Sequence, residues 1–225
     1  MASGLGHAFR KVETQPMGMI FEKAELSDRN LKRVMQIGRV AAKLFNAKGY
    51  LQTTMDDITA AARFSKGGIY HYFSSKDEIL FFVLDRYMNR VLQDLDYHLA
   101  EIETAREKIQ YIISRHIRLY TENPAEAKTL LNEKYCLPPK YRREIDRKER
   151  EYFQIVRKVL IIFFGDQQKM AGSQITVITF LLFGICNWLF SWYDPAGAVN
   201  SRELSEIIWK IFLNGVDGFR SGEDW

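Results

Sequence analysis

An all-α fold is predicted for this 225-residue chain, with a small N-terminal three-helix unit joined to a larger helical one. Three observations predict it. Apolar residues recur at spacings of three and four from Val34 onward. No proline occurs between Met17 and Asn123, so a long stretch lacks the residue that breaks helices. No alternation of the strand period holds for long. A hydrophobic content of 47% is ample for a core. Cys136 and Cys186 lie in no metal or redox spacing, which reads as a reduced, cytoplasmic protein. No charged start followed by an apolar block marks a secretory signal.

Residues 1–27 mix glycine, methionine and charge without a period, and are read as a flexible N-terminal arm. Val34, Ile37, Ala41, Leu44 and Phe45 mark the first amphipathic helix, which Gly49 is placed to end in a left-handed cap. Thr53 or Thr54 caps the second helix, with Asp56 and Asp57 suiting its positive end. Met55, Ile58, Ala61 and Ala62 form its expected buried face. Ser65 caps a short third helix to about Phe73. Ser74 or Ser75 caps a fourth that runs toward Ala100, with Ile79, Leu80, Val83, Tyr87, Val91 and Leu95 on one side.

Five further helices are expected at about 104–121, 124–135, 140–164, 172–193 and 201–219, for about nine in all. Asn123-Pro124, Leu137-Pro138-Pro139, Gly165 and Asp194-Pro195 punctuate them. Asn200 with Glu203 resembles a capping box for the last. The run 174–193 holds no charge and is long enough to span a bilayer. Its Gln174, Thr176, Thr179, Asn187 and Ser191 favour a helix buried in protein instead. A membrane-anchored helical protein using that run as its span is the alternative.

The chemistry concentrates between Asp28 and Asp77, where nine Lys and Arg face four Asp and leave a local charge of +5. Such an excess suits a polyanion. The segment reads as two short helices across a tight turn. Small residues at 60–62 let the third helix pack close, and Gly67 and Gly68 open it without side chains, so its backbone can approach phosphate. Ile69 and Phe73 share the inward face, while Lys66, Tyr70 and His71 point toward a groove. Lys66 can donate to a purine, and Lys76 is placed for a phosphate. The pattern predicts a helix-turn-helix that reads duplex DNA, against an ordinary three-helix cluster with an exposed aromatic patch. No phosphate loop, His-Glu metal motif or nucleophile elbow is present, and the four histidines form no metal spacing. No enzyme activity, cofactor or metal is expected.

The segment Val34 to Leu80 resembles the N-terminal domain of the TetR family of bacterial transcriptional regulators. The match is carried by AAKLFNAKGY, TTMDDITAAA and FSKGGIYHYFSSKDEIL. The resemblance implies a DNA-binding domain at 28–77 and an effector-binding and dimerisation domain at 78–225. It implies DNA contacts from Thr54, Ser65, Lys66, Gly67, Gly68, Tyr70, His71, Tyr72 and Lys76. Because Gly68 has no side chain, base reading should rest on Lys66, Tyr70 and His71, with room for shape readout.

The family resemblance also implies a homodimer built on the last two helices. Phe180, Gly184, Trp188, Ile208, Trp209 and Phe212 are the expected interface, with a plain core role open for some of them. A small-molecule effector is implied among the middle helices. Its candidate contacts are Tyr87, His116, Tyr120, Tyr152, Thr179, Phe183 and Asn187. The ending NWLFSWYDPAGAVNSRELSEII resembles TetR-like regulators of fatty-acid and sterol degradation that respond to acyl-CoA thioesters. The basic run Lys140, Arg142, Arg143, Arg147, Lys148 and Arg150 could meet CoA phosphates. It alternates with acids, so a salt-bridged helix is the competing reading.

Overall fold

The computed structural model describes residues 28–164 and 170–220, with side chains to 215. The arm at 1–27 and Gly165 lie outside the described residues. Among the described residues ten α-helices follow one another: α1 Asp28–Lys48, α2 Met55–Ala62, α3 Lys66–Tyr70, α4 Lys76–Leu92, α5 Leu95–Glu101, α6 Ala105–Glu122, α7 Pro124–Glu133, α8 Pro139–Phe164, α9 Gly172–Asn187 and α10 Ser201–Arg220. Short 3-10 turns at Lys134–Cys136 and Trp188–Ser191 complete the set. The described residues contain no strand.

The expected fourth helix is two helices. Asp94 adopts the left-handed conformation at φ 55° between α4 and α5. The break is stabilised from outside: the Arg115 guanidinium of α6 donates to the carbonyls of Arg90 and Gln93 at 2.9 and 2.6 Å. Those are the orphan acceptors at the end of α4, and a cation there also suits the helix dipole.

Local chemistry sets the other boundaries. Gly49 ends α1 with φ +84° and its N–H on the Phe45 carbonyl. Thr54 caps α2 in a complete capping box with Asp57. Thr53 is instead fully buried, its hydroxyl donating to the Gly49 carbonyl at 2.8 Å. Ser65 caps α3 and Ser75 caps α4. The Asn200 side chain accepts from the N–H groups of Arg202 and Glu203 and so caps α10.

The head formed by α1–α3 encloses Val34, Ile37, Phe45, Ile58, Ile69 and Phe73. Ala61 is exposed, so the inward face of α2 is Ile58 and Ala62, with Met55 at its edge. Helix α4 packs against α1 on one side and α8 on the other, and α1 also packs on α7. Gly38 makes the first contact close: a Cβ there would lie 2.7 Å from the Phe82 ring. The hydrophobic core is continuous from the head into the larger unit.

Candidate nucleic-acid interface

Helix α3 is short, and its exposed edge is chemically dense. Ser65 holds its first turn by accepting from the Gly68 N–H at 3.1 Å. A Cβ at Gly68 would lie 3.0 Å from that Ser65 hydroxyl, whereas one at Gly67 would meet nothing within 4 Å. The backbone at Gly67 is thus open to a partner from outside. Ile69 is buried, while Tyr70 and His71 are exposed. Tyr72 is half-buried, its hydroxyl donating to Asn30 at 3.0 Å and accepting from Arg33 at 3.4 Å. The His71 ring meets Tyr72 edge-on at 4.9 Å.

The cations are less free than their positions in the sequence imply. Lys66 is exposed but paired with Asp56 at 3.0 Å, and that carboxylate raises the lysine's pKa. Thr54 is on the surface, with its hydroxyl closed into the capping box at 2.7 Å from Asp57. Lys76 requires a correction. Its ammonium donates to the carbonyls of Tyr50 and Thr53, both at 2.8 Å, and lies 4.2 Å over the Tyr50 ring. Three backbone acceptors converge from the α1–α2 turn, counting Leu51 at 3.4 Å, so this lysine fastens that turn to α4 and is not held out for phosphate.

Two features of this face carry no motif in the sequence. An open cleft of about 480 Å³ lies between α1 and α3, lined by Arg33, Gln36, Arg63, Ser65, His71 and Tyr72 among others. Arg63, which ends α2, is left-handed at φ 58° and ψ 44°, a conformation costing a non-glycine residue roughly 1–2 kcal/mol. The signal that could have found it is the turn itself, whose length demands one left-handed residue between α2 and α3.

In the larger unit four of the effector candidates converge. His116 of α6 lies between the Tyr152 hydroxyl at 3.2 Å and Asn187 Oδ1 at 3.0 Å. These bonds assign the tautomer: Nε2–H donates to Asn187 and Nδ1 accepts from Tyr152. The Phe183 ring packs 5.2 Å from Tyr152 and 6.1 Å from His116. Burial pushes the imidazole down to about 4, against the pull of its Asn187 bond, so the ring is neutral at physiological pH. Tyr87 and Tyr120 are buried on α4 and α6. Thr179 is fully buried, its hydroxyl on its own helix at Ile175. Two cations of the basic run on α8 are paired: Lys148 is buried against Asp85 at 2.5 Å, and Arg147 holds Glu144 and Glu151.

The expected dimer residues divide in two. Phe180 and Trp188 are 62% and 63% exposed, and Gly184 is open to solvent. Ile208, Trp209 and Phe212 are a correction. All three are buried within the chain, on the side of α10 that packs against α6, with Arg106 5.6 Å over the Trp209 ring. Among the described side chains of α10, the outward apolar residues are Ile207 and Ile211. Val177, Leu181 and Ile185 are likewise exposed on α9, the helix that carries Phe180.

The uncharged segment Gly172–Ser191 is long and apolar enough to cross a membrane. Its Ile175, Ile178, Leu182, Cys186 and Leu189 are nonetheless built into the core.

Known proteins share this architecture. Residues 37–82 match the family model of bacterial regulatory proteins of the tetR family, and 103–216 match a tetracyclin repressor-like C-terminal domain. The second match includes the apolar helix and gives the membrane-anchored alternative no support. The fatty acid metabolism regulator protein of Bacillus subtilis (strain 168) is 23% identical, over 82% of this chain and 95% of its own. The HTH-type transcriptional repressor KstR2 of Rhodococcus jostii (strain RHA1) is 30% identical, over 79% and 87%. The structure of AibR in complex with isovaleryl coenzyme A and operator DNA superposes with a TM-score of 0.70. It is 24% identical, covering 80% of this chain and 97% of that one. The helix-turn-helix head and the helical domain behind it match in one unbroken order, and the chain belongs to the TetR family of bacterial transcriptional regulators.

Proposed function

We propose that this chain is a dimeric, effector-responsive repressor. Two copies of α3 would enter successive major grooves of a palindromic operator, about 34–36 Å apart. Residues 28–77 form the reading head, and 78–225 bind effector and partner. A cytoplasmic location follows from the DNA-binding role. The observation that carries the reading is the face of α3: exposed Tyr70 and His71 beside a Gly67 backbone that no protein atom covers. The readers are Tyr70 and His71, with Lys66 joining them once DNA competes with Asp56. Ser65, Gly67 and Gly68 offer the helix N-terminus to phosphate, and Thr54 and Tyr72 flank it.

The effector is a small hydrophobic molecule, and an acyl-CoA thioester is the class we favour. The isovaleryl coenzyme A of AibR and the fatty-acid role named for the Bacillus relative support it. The acyl end would meet Phe183 and Tyr152, and its thioester carbonyl would accept from His116 or Tyr152 in place of a bond they now make with each other or with Asn187. Ligand releases DNA only through unequal affinity for two arrangements of the heads, and α4 is the element that reaches both.

The test is selection of a binding site from a randomised duplex pool, followed by titration with acyl-CoAs of graded chain length. Tyr70→Ala should weaken binding to the selected site about tenfold, the scale of one lost base contact. Unchanged affinity in a folded Tyr70→Ala dimer would overturn the placement of α3, and no release by any chain length would remove the thioester.

A further inference from the structure

We propose that Arg63 is a phosphate clamp: in the bound state its guanidinium grips a backbone phosphate of the DNA that enters the cleft between α1 and α3. The inference rests on the DNA-binding reading and deepens it.

The backbone is the first observation. The α2–α3 turn holds residue 63 left-handed through two turn bonds, Arg63 N–H to the Ala60 carbonyl and Phe64 N–H to the Thr59 carbonyl, both 3.2 Å. Gln36 of α1 fixes the preceding residue by donating to the Ala62 carbonyl at 3.0 Å. Such a cap favours glycine, and asparagine next. Arginine gains nothing there from its own backbone, and its long side chain must be ordered against that preference.

Charge is the second. Four other cations of the head have an internal partner: Lys48 with Asp57, Lys66 with Asp56, Lys76 with three carbonyls, Arg33 with Tyr72. Among the described residues no ion pair or side-chain hydrogen bond engages the Arg63 guanidinium, and the residue is exposed. Yet it lines the same cleft as Arg33, Ser65 and His71. Those groups present donors and no carboxylate. A planar guanidinium can meet phosphate oxygens with two parallel N–H bonds. The cleft sits over the N-terminus of α3, the end that faces the strand backbone when the helix enters the groove.

The experiment uses the full chain and the duplex that the wild type selects from a randomised pool. Arg63→Gly, Arg63→Asn and Arg63→Lys are compared by melting temperature, by affinity across a salt series, and by preference for the selected site over a scrambled one. The glycine and asparagine variants should melt at or above the wild type, bind five- to twentyfold more weakly, and lose about one unit of log–log salt slope, with site preference unchanged. Arg63→Lys should keep most of the slope. Wild-type affinity and slope in both neutral variants would overturn the clamp, as would a relaxed preference at one base pair with the slope intact, the mark of a base contact. If the wild type selects no duplex, the DNA-binding reading itself fails and the clamp falls with it. A duplex that is selected and bound equally by all variants removes the clamp alone.

Discussion

A methyl group added at Gly67 would meet no atom of the protein within 4 Å. Glycine inside a helix is less stable than alanine by roughly 0.5–1 kcal/mol, and nothing in the free chain requires it at this site. On the proposed reading, that open space is where the DNA backbone approaches. Gly67→Ala is therefore expected to leave the melting temperature unchanged or raised while lowering DNA affinity about tenfold, or ~1.4 kcal/mol. Thermal melts beside binding isotherms check it, and equal affinity would show that DNA does not approach the backbone there. Gly68 behaves differently, because a Cβ at 3.0 Å from the Ser65 hydroxyl would disturb the cap. The role of such residues was partly legible in the sequence. Capping signals act over three or four positions, and Gly49, Ser65 and Asn200 do what their spacing implies. Lys76 was not legible, because the carbonyls that hold it come from residues 50–53 and converge only once α4 packs against the α1–α2 turn.

Elements reveal where local rules yield to packing. Helix α4 ends at Leu92 although apolar residues continue in phase to Leu95, because the cause of the break sits on another helix. Arg115 is 8% exposed and spends its guanidinium on carbonyls at the end of α4. Arg115→Leu would keep most of the buried volume and leave those acceptors unpaired in a dry site, at about 1–3 kcal/mol each for the ones that water cannot reach. The variant should lose about 3 kcal/mol in denaturant unfolding, and α4–α5 amides should exchange faster than the rest. A loss below 1 kcal/mol would mean that the break is set by Asp94 alone. Helix α10 teaches a related lesson. Ile207, Ile208, Trp209, Ile211, Phe212 and Leu213 crowd both of its sides with apolar residues, so periodicity could not say which side faces the core. Only contact with α6 decides that Ile208, Trp209 and Phe212 face inward and Ile207 and Ile211 outward.

At the scale of the whole molecule, α9 and α10 both carry exposed apolar residues that a single chain leaves in solvent. Val177, Phe180, Leu181, Ile185, Ile207 and Ile211 are each between 38% and 62% exposed. Large exposed apolar patches mark association surfaces, and a two-fold pairing brings the same patch from each copy together. Gly184 sits within it and has nothing within 4 Å of its Cβ position, so two helices can approach there closely. A charge placed on that surface would be buried in a dimer that uses it and would stay largely solvated in the monomer. Leu181→Glu and Ile211→Glu are thus expected to keep the helical content and melting behaviour of a folded chain. Each should weaken dimerisation by at least about 100-fold, since an unpaired buried carboxylate costs several kcal/mol. DNA affinity should fall with the dimer, because one reading head alone forfeits the second half-site. Trp209→Ala is the internal contrast: its ring is 9% exposed beneath Arg106, so it should cost stability first and assembly only as a consequence. Sedimentation equilibrium of the three variants, read beside their melts, separates the two faces of α10. Dimers persisting in both glutamate variants would place the contact between copies on another surface.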